Sequence, residues 1–144
     1  MTENMQVTTI LPHPLPRCAN ARLTLFAIRR LGAHGLHDAR AAHALLIAFG
    51  QAFRRPLLLL RNLMADLACH ASGTIAIAPC CCARMTPAEG ALLTILARVE
   101  RSPQVASYLL ADLLGVRRID GVLASAAAVA TAFADAGRPI GEDR

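Results

Sequence analysis

Thr86-Pro87-Ala88-Glu89 places the firmest local constraint on this chain. A threonine hydroxyl at a helix N-cap accepts a backbone N–H, and proline suits the first helical position because its missing donor would be unpaired there. A glutamate three residues after the cap returns a bond to the cap's own N–H. The tetrapeptide therefore predicts a helix from Pro87 to about Arg101, with Leu92, Ile95, Leu96 and Val99 on its apolar side. Ser102-Pro103 repeats the cap-plus-proline signal for a helix to Leu114, stopped by Gly115. Asp120 is expected to cap a last helix to about Ala136, closed by Gly137 ahead of Pro139.

The upstream half is punctuated in the same way. Leu23, Phe26, Ala27 and Leu31 recur at helical spacing between Arg17 and Leu31, and Gly32 is expected to end that helix. A second helix starts near His37-Asp38, where the acid favours the positive end of the helix dipole, and runs to about Phe53. Its middle, Ala41 to Phe49, is apolar on nearly every side, which marks a central helix. Pro56 opens a third, to Ala71, with Leu59, Leu60, Leu63, Met64 and Leu67 inward and Asn62, Asp66 and His70 in one polar line. Thr74 to Ala78 is β-branched and too short for a helix, so residues 74–82 are expected to form an extended link. Alternating prolines make residues 1–16 an extended arm, and residues 141–144 read as a loose end. The expected fold is all-α: a compact bundle of five to six helices with short connections, in one domain over residues 17–140. The 38–53 and 56–71 helices would form its antiparallel centre.

An apolar share of 55 % raises the question of a membrane, yet no clean run approaches the ~18 to 20 residues that a spanning helix needs. Arg61 and Asp66 interrupt the best stretch. Glu3 stands where a signal peptide carries positive charge, and no continuous apolar segment follows, so a cytoplasmic chain with free thiols is expected. So many apolar positions in 144 residues should leave helix faces uncovered in a monomer, and a homodimer is the expected state. Charge is uneven: residues 17–61 hold eight arginines against Asp38 alone, whereas residues 62–144 hold seven against eight acids. That asymmetry fits a nucleic-acid or acidic partner. One tyrosine and no tryptophan leave little for base stacking, and a solvated helix face is the simpler reading. Arg117 and Arg118, after a helix-turn-helix-like Leu109 to Gly115, are candidate phosphate contacts. The helix that follows them lacks the polar side chains that read base edges.

Reactive groups gather between Asp66 and Cys82. Cys80, Cys81 and Cys82 are consecutive, just before the capped helix and beside Arg84, and Cys69 and His70 end the preceding helix. Helix N-termini and cations favour thiolates. Cys69, His70, Cys80 and Cys82 are the soft and borderline ligands that zinc takes, with Asp66, one turn before His70, as an orienting carboxylate. Three adjacent cysteines cannot easily face one ion, and the CxxC knuckle of strong zinc motifs is missing. Small buried cysteines in a tight turn are the alternative. His34 and His37 flank Gly35, where a turn can bring them together.

The run Ile77 to Thr86, together with Leu57 to Met64, resembles a family of small uncharacterised bacterial helical proteins classed as a domain of unknown function. The resemblance extends over most of the chain and implies no activity, so it assigns no catalytic residue. From the residues themselves the expected function is a non-enzymatic interaction or sensory protein whose cysteine segment binds metal or responds to oxidation. A basic DNA- or partner-binding regulator is the alternative.

Overall fold

Glycine and proline mark the boundaries, and six α-helices form between them in a computed structural model that describes residues 11–142. These are α1 (Ala19–His34), α2 (Ala39–Phe49), α3 (Arg54–His70), α4 (Pro87–Arg98), α5 (Pro103–Leu114) and α6 (Asp120–Asp135), with a 3-10 turn (Gly50–Phe53) joining α2 to α3. Two short strands, β1 (His13–Pro14) and β2 (Arg84–Met85), pair antiparallel with His13 opposite Met85. Residues 1–10 of the proline-rich arm and residues 143–144 of the expected loose end lie outside the described residues.

The strongest sequence signal gives the strongest local structure. Thr86 accepts the amide of Glu89, and the Glu89 side chain accepts the amide of Thr86, completing the capping box. Asp38 caps α2 by accepting from the Ala41 amide. Elsewhere the boundaries move by a few residues, each for a local reason. α1 continues through Gly32 to His34 and ends at Gly35, whose φ of +100° only glycine adopts easily. One interior glycine costs a helix about 1 kcal/mol, which tertiary packing overrides. α3 begins at Arg54, so Pro56 occupies its third position, still within the first turn, where N–H groups have no intrahelical partner. Ile119 takes the N-cap position of α6 and Asp120 becomes its first residue, placing a carboxylate at the positive end of the dipole instead of on the cap. Residues 74–78 form neither helix nor ladder; the strand pairing lies at β1 and β2.

The bundle is centred on α3 and α6, which share the most extensive helix contact, followed by α4 with α5. Leu60, Leu63 and Leu67 of α3 face Val122, Ala126, Val129 and Phe133 of α6, all buried. The small Ala- and Ser-rich body of α6 lets the two helix backbones approach. This corrects the expected α2–α3 centre. α2 buries only Ala41 and Leu45 and leaves Ile47 71 % and Leu46 43 % exposed, so an all-round apolar helix proves to be an outer one. Phe49 at its end reaches the core, meeting Phe133 edge to face with ring centroids 5.0 Å apart. Phe26, expected inside, is partly exposed, and the buried side of α1 runs through Ala21, Leu25, Ile28 and Leu31. Among the described residues no helix is long and apolar enough to cross a membrane.

Candidate thiol site

Arg29 lies on the core side of α1 and is only 2 % exposed, although its sequence context suggested a solvated face. A guanidinium at that depth needs a counter-charge and filled donors. Glu89, 1 % exposed on the first turn of α4, supplies the charge: Arg29 Nε donates to Glu89 Oε2 at 2.7 Å and Nη2 donates to Oε1 at 3.1 Å. The remaining donors go to the cysteine turn, Nη1 to the Cys82 carbonyl at 2.9 Å and Nη2 to the Arg84 carbonyl at 2.7 Å.

Glu89 answers on the same segment. Its Oε2 accepts the Ala78 amide at 3.2 Å and its Oε1 the Thr86 amide at 2.9 Å, while Thr86 Oγ1 donates to the Ala76 carbonyl at 2.7 Å. A turn closed by Cys82 N donating to the Pro79 carbonyl at 3.0 Å is thereby held at both ends. Arg84 then straps the arm onto it, donating from Nε to Leu11 O at 2.7 Å and from Nη2 to Pro12 O at 2.6 Å. The cysteines are all free thiols: Cys81 and Cys69 exposed, Cys18, Cys80 and Cys82 half-buried.

A second cluster adjoins the turn. Arg30 binds Asp38 through both fork positions, Nε to Oδ2 at 3.0 Å and Nη2 to Oδ1 at 2.8 Å. These hydrogen bonds hold the Asp38 carboxyl down at about 2, against an opposing effect of burial and with help from the Ala41 amide and the charges of Arg30 and His34. Arg30 is correspondingly raised, first by Asp38 and further by the Cys80 thiol beside it. Arg30, His34 and Cys80 line one groove of about 500 Å3, whose other wall is the Thr74–Pro79 segment.

The zinc set expected from the sequence is not gathered. Among the described residues no three His, Cys, Asp or Glu side chains are placed to hold a metal ion, so Cys69, His70, Cys80 and Cys82 do not form a ligand group. Nor does Asp66 orient the His70 ring. His70 Nδ1 donates to the Asp66 main-chain carbonyl at 2.9 Å, and the Asp66 carboxylate instead accepts from Ser125 Oγ of α6. Helical spacing put Asp66 beside His70; the close α3–α6 contact gave the carboxylate a nearer donor. Arg117 and Arg118 are exposed in the α5–α6 connection. The groups missed by sequence reasoning are two ion pairs, Arg29 with Glu89 and Arg30 with Asp38. The available signal was Asp38 as the lone acid within an arginine-rich stretch, eight residues after Arg30.

Arg29→Met should destabilise the chain by about 3–5 kcal/mol, since it strands the Glu89 charge in the core. Adding Glu89→Gln should return part of that loss, read as denaturant midpoints of the single and double variants. Asp38 gives a pH signature. Because its folded carboxyl titrates at about 2, below the ordinary 3.8, its stabilising effect is complete above pH 3.8 and is lost as pH falls through 2. Asp38→Asn should therefore lie below the parent in stability at pH 7 and converge with it toward pH 2 in urea titrations.

The comparisons with known proteins bear on this site by position alone. No curated protein and no solved structure matches the chain. The model of one family, described as a family of unknown function (DUF6628), matches residues 1–102. That span takes in Arg29, Arg30, Asp38, the cysteine turn and Glu89, and stops before α5 and α6. With most of its length matched, the chain belongs to this family of unknown function, DUF6628.

Proposed function

We propose that this chain is a non-enzymatic interaction or sensory protein that acts through the thiols of its cysteine turn. One observation carries the reading: a buried ion pair holds a three-cysteine turn by its backbone while Cys81 meets solvent and Cys80 stands beside Arg30. A core arginine that spends donors on the Cys82 and Arg84 carbonyls fixes where the thiols point. Positioned, partly accessible thiols near a cation suit exchange or oxidation chemistry. Response to oxidation is better supported than zinc binding, because the ligand set is not gathered. A reducing compartment such as the cytoplasm would keep these thiols free at rest.

The basic-surface alternative has less behind it. Arg29 is buried and Arg30 is engaged by Asp38, which removes two of eight arginines from any phosphate-facing surface. Self-association belongs to the same reading, since Leu46 and Ile47 are adjacent and exposed on α2. Sedimentation at high concentration should show a dimer; a lone 15.3 kDa species rejects that part.

Timed alkylation of the native reduced chain with N-ethylmaleimide, mapped by peptide mass spectrometry, tests the main proposal. Cys81 should react fastest among the turn thiols, with Cys80 and Cys82 following, and mild peroxide should block them reversibly. Turn thiols that resist both reagents in the folded chain would reject it.

A further inference from the structure

The groove between α1 and the Thr74–Pro79 segment has three properties that together point to a ligand. The first is an open backbone edge. In an extended chain the N–H and C=O groups of alternate residues face opposite sides. The Ala76 carbonyl and the Ala78 amide both face the α4 cap, bonded to Thr86 and Glu89. The peptide groups of Ile75 and Ile77 therefore face away from α4, and among the described residues they make no hydrogen bond. The second is charge: Arg30 and His34 line the groove and no carboxylate does. Asp38 occupies the Nε and Nη2 edge of Arg30, and the Cys80 thiol interacts with the same guanidinium. The third is Cys80, a nucleophile on the same groove wall.

An extended peptide can pair with the Ile75 and Ile77 edge, an anionic one can place a carboxylate beside Arg30 and His34 on the groove wall, and one carrying a disulfide can react with Cys80. We propose that the groove binds the disulfide form of a short anionic peptide and that Cys80 is its exchange site. This rests on the reading of the turn as thiol-reactive and names its substrate class. In the exchange the Cys80 sulfur, as thiolate, attacks one sulfur of the peptide disulfide. The peptide S–S bond breaks, a Cys80–peptide disulfide forms, and the second peptide half leaves as a thiolate that takes up the proton given up by Cys80. The peptide disulfide is itself the oxidant: Cys80 is oxidised and the departing sulfur is reduced.

Selectivity against exposure is the signature. Cys81 and Cys69 are the exposed thiols, yet neither lines this groove. The reduced full chain is treated separately with glutathione disulfide, with neutral hydroxyethyl disulfide and with cationic cystamine, then acid-quenched and mapped. Glutathione disulfide should modify Cys80 ahead of Cys81 and Cys69, about tenfold faster than cystamine does, the factor expected for one charge-assisted hydrogen bond. His34→Gln and Arg30→Gln should each shrink that preference and leave the Cys81 rate alone. If Arg30→Gln fails to fold, His34→Gln, exposed on the groove rim, still decides. Modification that follows exposure, equal rates for the three disulfides, or a preference unchanged in folded His34→Gln overturns the proposal. N-ethylmaleimide on the same sample separates the two readings: turn thiols that take maleimide without charge selectivity reject the groove alone, and inert turn thiols reject both.

Discussion

The Arg29–Glu89 pair is the interaction on which the rest of this structure depends. It joins the middle of α1 to the first turn of α4, and through the carbonyls of Cys82 and Arg84 and the amides of Ala78 and Thr86 it sets the path of everything between α3 and α4. Glu89 serves two purposes at once. As the third residue of a capping box it satisfies the Thr86 amide, and as the counter-charge to Arg29 it makes a core guanidinium tolerable. Buried ion pairs add little net stability over a well-packed apolar pair, because desolvation offsets attraction. Their usual return is a single geometry, and here that geometry is the direction of the cysteine turn.

The packing explains why such a device is needed. The most extensive contact, α3 on α6, is made of leucines and small residues, and its polar links are peripheral: Asp66 and Asn62 on Ser125, and an exposed Arg55–Asp135 pair. Apolar layers of that kind fix a distance and leave a loop free to choose its course. The segment from Ser72 to Thr86 crosses from α3 to α4 with no helix of its own and no charge before Arg84. Its course is set instead by Ser72 N donating to Leu114 O at 2.8 Å at one end and by the ion pair at the other. Gly115, at φ +69°, sits against this first contact, and a Cβ there would collide with Ser72 Oγ.

Local chemistry was legible in the sequence and pairing across space was not. Thr86-Pro87-Ala88-Glu89, Gly115 and Gly137 act within a few residues of themselves, so their helix boundaries could be read from the chain. The outer position of α2 could not: Ala41 to Phe49 is apolar all round, and only the better fit between α3 and the small residues of α6 decides which helix is central. Arg29 and Arg30 are a sharper case. Adjacent helical residues point about 100° apart, so the two arginines take different directions, Arg29 into the core and Arg30 toward its edge. Which acid meets each depends on Glu89, sixty residues on, and Asp38, across a turn. Cys69 and His70 belong here too: nearness in sequence to the cysteine run suggested ligands, and the intervening segment carries the run to α1 instead.

That displacement changes what the cysteines can do. Beside the end of α3, they would have met a histidine and another thiol, the makings of a metal site. Beside α1, Cys80 meets a guanidinium already committed to a carboxylate, which offers a fixed positive charge and no soft ligand. Chemistry at the turn would also act on the fold, since the Cys82 carbonyl is one of the groups that satisfy Arg29. A disulfide or adduct that rotated the Cys82 peptide would leave a buried guanidinium short of an acceptor, a cost of about 1–3 kcal/mol or more for a charged group. The arm lies one residue pair further along, strapped by Arg84. A change at the thiols therefore has a direct mechanical route to the N-terminal arm, through hydrogen bonds already in place.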